Sequence, residues 1–389
     1  MKKSMFFALA ALGLVAFASC KKEEEKTPEA APELTNETQI TGIPFTGGEF
    51  TYEFDSNKKW TVTGEAEVTI AGQTYEFGLK PTSGDAGHGV VTVTVPANKG
   101  AEDINYSFTL TLLGEDKDTK PLTKTVSLTI PAPSVTDAAG NTYKAAYLGG
   151  NYWMTENLRT IPEGMTVSED PKDKSGLWYP YILTDVEIYS EKNKVGLDVL
   201  KSKATAKVAK DEATIKTNGY LYSANVYLGG VEFGETNFTS FEGVRGICPE
   251  GWHIPTRADF VALNGWAQAS AAAGFSEVLD DKAPFYDATY KGGKYENAVK
   301  SNWNPVLTGT VTGAYSTTVI TKLNSTKSEL FNKQALTYWA GSTGNSKTQV
   351  WAMITTFTKD KYPEGRLHTS FCTASFGVAV RCVMDKTAK

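Results

Sequence analysis

Short runs in which apolar and polar residues alternate, each closed by turn residues, fill the first third of this 389-residue chain. After Gly47-Gly48, Phe50, Tyr52 and Phe54 alternate with Thr51 and Glu53. Val91, Val93 and Val95 alternate with Thr92 and Thr94, and Phe108, Leu110 and Leu112 repeat the pattern. A period of two puts such residues on one face of a strand. Further runs begin at Trp60-Thr61-Val62, Glu67-Val68-Thr69-Ile70, Tyr75-Glu76-Phe77 and Leu122. Asp55-Ser56-Asn57 supplies a turn between two of them. This pattern predicts an all-β sandwich over residues 35–133, with Trp60 in its core.

Pro131-Ala132-Pro133 marks a joint, and the pattern changes beyond it. Two strands flank a tight turn at Asp137–Asn141. In Ile254-Pro255-Thr256-Arg257-Ala258-Asp259-Phe260, Pro255 ends an extended segment, Thr256 caps a helix and Asp259 stands at N3. Phe260, Leu263 and Ala267 then share a helical face, Ala267–Ala273 extends the helical region, and Gly274 ends it. Trp252 and Ile254 point one way from the extended segment and His253 the other. Residues 134–389 are therefore expected to be α+β, a helix laid on a sheet. Phe376, Val378, Val380 and Cys382 are expected on one face of a closing strand.

The net charge is −5 and is spread out, with no basic stripe, so no nucleic-acid partner is expected. Cys248, Cys372 and Cys382 lack CxxC spacing, and the chain has 3 histidines, His88, His253 and His368. No metal and no cofactor are expected from such a set. An oxidising compartment allows one bridge among the three cysteines and leaves one thiol over, and spacing alone does not choose the pair. His253 has no nucleophile in a recognisable arrangement beside it and reads as structural, hydrogen-bonded near the helix start. Glu169-Asp170 and Asp280-Asp281 read as loop charge rather than glycosidase pairs. No catalytic residue is assigned.

At the amino end, Met1-Lys2-Lys3 precedes an apolar run from Met5 to Phe17, then Ala18-Ser19 and Cys20. The run is too short for a mature transmembrane helix. The segment resembles a bacterial lipoprotein signal, with Phe17 less usual than Leu at its position. That resemblance implies a leader over residues 1–19, cleavage after Ser19, and lipid on the Cys20 thiol and new amine. The lipid bilayer is then a partner through the acyl anchor. Lys21-Lys22-Glu23-Glu24-Glu25-Lys26 and the Pro- and Glu-rich stretch after it form a tether over residues 20–34. The charged run resembles the export signal of Bacteroidetes surface lipoproteins, which implies the outer membrane, facing outwards.

Two family resemblances follow. The order Gly47-Gly48, strand, Asn57, Trp60, then Val91-Thr92-Val93-Thr94-Val95-Pro96-Ala97-Asn98 is similar to BACON-like immunoglobulin-type domains of Bacteroidetes. Such domains imply a spacer. Five later blocks, read in order, resemble the Fibrobacter succinogenes major paralogous domain over residues 134–389. They are Gly150-Asn151-Tyr152-Trp153-Met154-Thr155-Glu156-Asn157-Leu158-Arg159, Gly219-Tyr220-Leu221-Tyr222-Ser223-Ala224, Gly246 to Phe260, Tyr338-Trp339-Ala340-Gly341-Ser342-Thr343, and Val378-Ala379-Val380-Arg381-Cys382-Val383. The 254–260 block also resembles the helix entry of formylglycine-generating-type C-type-lectin-like folds. The Glu-Pro-Asn, Gln-Pro-Asp and Trp-Asn-Asp motifs of calcium-dependent lectins are missing. Cys248 and Cys382 both fall in the family-like blocks, which implies that they form the bridge and leave Cys372 free. Cys372–Cys382 is the competing pair.

Residues 160–215 and 275–335 read as long inserts rich in Tyr and Thr. Loops on a rigid scaffold are where binding resides. Trp178, Tyr179 and Tyr181, together with Phe285, Tyr286, Tyr290 and Tyr295, are the ligand-contact candidates, as aromatic platforms for an extracellular glycan or protein. The expected function is a surface-displayed binding or adhesion lipoprotein. A structural subunit of a surface assembly such as fimbriae is the alternative, and a polysaccharide-acting enzyme the second.

Overall fold

The computed structural model describes residues 30–114, 119–170, 172–192, 198–306, 308, 336–358 and 362–386. Cys20, assigned above to lipidation, lies outside the described residues. The architecture is mixed, with several antiparallel sheets and a few short helices.

The alternating runs become strands where their periodicity places them. Gly48–Ser56 pairs with Gly87–Val95, Leu34–Thr35 flanks the first and Gly78–Lys80 the second. Ile104–Leu112 pairs along its full length with Leu122–Ile130 and, on its other edge, with Trp60–Gly64. Side chains from both sheets share one core: Tyr52, Phe54, Val91, Val93 and Val95 from one, and Trp60, Val62, Phe108, Leu110 and Leu112 from the other. The intervening polar residues face outwards, as a half-buried sheet requires. Trp60 is buried, edge-on to Phe54.

The region beyond Pro133 holds a five-stranded sheet in the order Ser134–Thr136, Thr142–Leu148, Asn151–Met154, Val383–Met384 and Trp252–His253. Strands of the family-like blocks far apart in sequence thus lie side by side. A larger sheet is built on Leu336–Ser346, Gln349–Thr358 and Tyr362–Thr373. Helix α1 is Glu212–Asn218, α2 is Ala224–Tyr227, α3 is Arg257–Asn264 and α4 is Tyr295–Lys300. The predicted capping box starts α3: the Asp259 N–H donates to Thr256 Oγ1 at 3.1 Å, and the Thr256 N–H donates to Asp259 Oδ2 at 2.9 Å. Phe260 and Leu263 are buried beneath it.

Two expectations for this region are corrected. Helix α3 does not run on to Ala267. Gly265 turns into the left-handed region at φ 78°, where a side chain would strike the Asp280 carbonyl, and Trp266–Ala267 leaves as a strand. Ala271–Ala273 forms a separate 3₁₀ turn closed by Gly274. The closing segment is regular strand only at Val383–Met384. Val378, Val380 and Cys382 do enter one core, with half-buried Phe376 packed against it, while Ala379 and Val383 enter a second. Alternate residues of one extended stretch therefore serve two cores, because protein lies on both of its sides.

Arg381 lies in the same stretch and is fully buried. Its Nε donates to Asn157 Oδ1 at 2.7 Å, one terminal nitrogen donates to the Trp303 carbonyl, and the other to the Asn304 carbonyl at 2.8 Å. The guanidinium stacks 4.3 Å from the Trp303 ring centre. These partners replace water around a charge that burial alone would expel. The two regions of the chain touch where the Tyr152 hydroxyl donates to the Asn98 carbonyl at 2.9 Å and Phe45 packs edge-on against Tyr152.

Candidate ligand-binding cleft

The Cys248–Cys382 bridge forms, with Cα atoms 5.9 Å apart, and ties the approach to α3 to the closing segment. Cys372 is the free, buried cysteine, and burial pushes its thiol up to about 12. A thiol so protonated is no nucleophile at neutral pH. The competing Cys372–Cys382 pairing does not form in this structure.

His253 does face away from Trp252 and Ile254, which are buried in one core. Its Nδ1 lies 2.6 Å from Asp385 Oδ1 and its Nε2 lies 3.3 Å from Asp259 Oδ2. Burial would lower its pKa, but the two carboxylates outweigh that and raise it above the ordinary value. The imidazole thus links α3 to the segment after the closing strand. Asp170 Oδ1 accepts the Lys172 N–H at 2.9 Å, Asp280 Oδ1 accepts the Lys282 N–H at 3.1 Å, and Glu169 pairs with Lys210 at 2.8 Å. Among the described residues no group of three or more His, Cys, Asp or Glu side chains is placed to hold a metal ion.

The aromatic candidates divide between two places. Trp178 is 2 % exposed, and its Nε1 donates to the Asp170 carbonyl at 3.1 Å. Tyr179 is half-buried, edge-on to Tyr220 at 5.8 Å. The Tyr181 side chain lies outside the described residues, although its backbone begins the strand Tyr181–Lys192. On the larger sheet Tyr290 is 6 % exposed, donates to Glu364 Oε2 at 3.2 Å and packs on Tyr362. Tyr286 there is half-buried, Phe285 is buried, and the Tyr295 hydroxyl donates to the Pro305 carbonyl at 2.7 Å. Trp178 and Tyr290 are therefore not open platforms.

Trp178 nonetheless borders an open cleft of about 790 Å³. The 172–176 loop forms one wall and the 373–375 turn another. Ser223 and Asn225 at α2, Glu232 and Phe233 after it, and Lys347-Thr348 in the turn between two strands complete the lining. Local bonds hold these pieces in place. The Ser223 N–H donates to the Gly176 carbonyl at 2.8 Å, and the Ala224 N–H donates to the Ala374 carbonyl at 2.8 Å. The Ala374 N–H in turn donates to the Thr348 carbonyl at 2.9 Å. Asn225 Oδ1 accepts the Phe233 N–H at 3.0 Å, which fixes the loop after α2. Gly176 sits at φ 85°, and a Cβ there would meet Ser223 Oγ at 2.3 Å. The result is a concave surface lined by two nearly buried aromatic rings, by amide and hydroxyl side chains, and by charged ones of both signs.

Of this lining, the sequence pointed to Trp178 alone. Ser223 was visible as part of a family-like block but carried no signal of ligand contact. Lys347, Thr348, Thr373 and Ser375 come from the turns of distant strands, and only the pairing of those strands brings them to Trp178.

No curated protein matches the chain. Among solved structures, a PapD-like domain of human CEP192 is similar at 19% identity and TM-score 0.20, covering 31% of this chain and 96% of that domain. A Bacteroides ovatus GH5 xyloglucanase, solved with a XXXG heptasaccharide, is similar at 16% identity and TM-score 0.18, covering 28% of this chain and 21% of the enzyme. The chain thus spans about a fifth of that enzyme. Residues 147–384 match the Fibrobacter succinogenes major domain, in line with the blocks read above, and the chain belongs to that family.

Proposed function

We propose that the chain is a surface-displayed binding lipoprotein of the outer membrane. In this reading, acyl chains on Cys20 hold it in the bilayer. The 35–133 region is a BACON-like, immunoglobulin-type spacer, and the family domain has a C-type-lectin-like fold that binds a saccharide. The observation that carries the reading is the cleft beside Trp178. Its volume of about 790 Å³ suits a small ligand, and a concave surface with a few placed polar side chains is the usual design of such sites. A saccharide offers apolar ring faces and hydroxyl edges to match. The protein is read as a binder rather than an enzyme.

The test is a glycan screen with the chain from Lys21 onward, repeated with Ser375→Trp, which fills the cleft from an exposed position. Saccharide binding that the variant abolishes is the expected result. Binding only to host proteins, or product release from a polysaccharide library, would overturn it. A second reading, a structural subunit of a surface assembly, is favoured by one feature. The strands Tyr181–Lys192 and Asp198–Val208 form a long hairpin that, among the described residues, pairs only with itself. A lone two-stranded hairpin is marginally stable in water and gains from a partner. Discrete higher oligomers with no saccharide binding would select this reading.

A further inference from the structure

We infer that the 35–133 region and the family domain are locked into one rigid body, so that the first is a fixed mount for the second rather than a swivelling spacer. The inference does not depend on what the cleft binds. Pro131-Ala132-Pro133 reads as a joint in the sequence, and relative motion is the default for two domains on one chain. The backbone of this joint is committed instead. Its two prolines have a fixed φ and no N–H to offer. The remaining N–H, on Ala132, donates to Asp103 Oδ1 at 2.7 Å. The Pro131 carbonyl accepts from Asn98 Nδ2 at 2.9 Å, and the Pro133 carbonyl accepts the Ala145 N–H at 2.9 Å. One strand runs up to Ile130 and the next begins at Ser134, already paired with Lys144. The three residues between them are thus held from both sides.

Asn98 is the centre of the lock, and it is fully buried. Its Nδ2 also donates to the Glu102 carbonyl at 2.8 Å, and its Oδ1 accepts the Gly100 N–H at 2.9 Å. Its own N–H donates to the Phe45 carbonyl at 2.7 Å, and its carbonyl accepts the Tyr152 hydroxyl. The side chain of one residue therefore holds the joint while its backbone holds the family domain. Phe45 comes from the first region but packs against the core of the second, 4.9 Å from the Tyr152 ring centre. Tyr147 stands opposite Tyr152 on the paired strand, and Lys99 Nζ lies 4.7 Å from its ring centre. A hydrogen bond, an apolar plug and a cation–ring contact thus cross the seam besides the covalent link. Contacts away from the link remove rotation about it. A tilt would strip the Tyr152 hydroxyl of its acceptor, and full opening would wet Phe45 and both tyrosine rings.

The experiment measures the distance distribution between two spin labels by pulsed electron resonance, in the chain from Lys21 onward. One label is carried by Thr51→Cys, exposed on the strand Gly48–Ser56, and the other by Lys216→Cys, exposed on α1. Cys372 is buried and the other two cysteines are bridged, so the labels stay on the two introduced thiols. The parent is expected to give a single narrow peak. Phe45→Ala/Tyr152→Phe, which removes the plug and the hydroxyl, is expected to spread that peak while the far-ultraviolet circular dichroism stays that of the parent. Tyr152→Phe alone keeps the ring and loses only the hydroxyl; it is the second variant should the double one fail to fold, and its peak should broaden less. A parent distribution as broad as a free hinge gives overturns the inference. A peak that stays narrow in every folded variant overturns it as well, since the contacts named here would then not be what holds the two regions.

Discussion

Removing the Cys248–Cys382 bridge by Cys248→Ala/Cys382→Ala tests how the family domain is held together. The cross-link closes a loop of 134 positions. In the chain-entropy treatment, a loop of that length limits the unfolded chain by about 5 kcal/mol. A domain's whole stability is about 5–15 kcal/mol, so the loss is a third or more of it. With a urea dependence of about 3 kcal/mol per molar, the unfolding midpoint should fall by about 1.7 M. Both alanines are needed, because a single variant would leave one cysteine able to pair with Cys372. The assay is urea unfolding followed by tryptophan fluorescence, with non-reducing peptide mapping to establish the parent pairing. A midpoint change below about 0.3 M would refute the entropic reasoning. A mapped Cys372–Cys382 peptide would refute the geometry.

The His253 clamp has a pH signature. Its folded pKa is raised above the ordinary value of 6.5, so its stabilisation is complete below that value and is lost as pH rises through the folded pKa. Unfolding midpoints should therefore decline in the parent as pH rises above 6.5 and through the raised folded pKa, and His253→Gln should flatten that slope; equal slopes would exclude the clamp. Arg381→Lys should cost about 2–4 kcal/mol, since an ammonium cannot serve Asn157, Trp303 and Asn304 together, and an unchanged melt would show that the fork is unnecessary. Gly176→Ala should cost about 1–3 kcal/mol from its φ and its approach to Ser223, read by thermal melting, and a neutral effect would mean that the cleft wall gives way.

What could be read from the residues depended on how local the cause was. Alternation within one strand predicted which of Tyr52, Phe54, Val91 and Leu110 are buried, because a half-buried sheet needs nothing more than its own period. The capping box was legible for the same reason, as Thr256 and Asp259 satisfy each other within one turn. The end of α3 was also written locally, in Gly265, but the apolar spacing from Phe260 to Ala267 pointed past it. Arg381 could not be read as buried, since a charged residue between two apolar ones looks like the wet face of a strand. Its partners lie at Asn157 and at Trp303-Asn304, far away in sequence. The disulfide came from the family likeness and not from cysteine spacing. The cleft was the least legible part, because its walls come from four separated segments.

The stretch from Val378 to Val383 has a consequence for how the domain comes into being. Both apolar interiors lack a wall until this stretch arrives, so a polypeptide emerging residue by residue holds them open to solvent until nearly all of the matched region is out. Maturation must then come late and all at once, and a helper that shields sticky intermediates would act before residue 383 emerges rather than after.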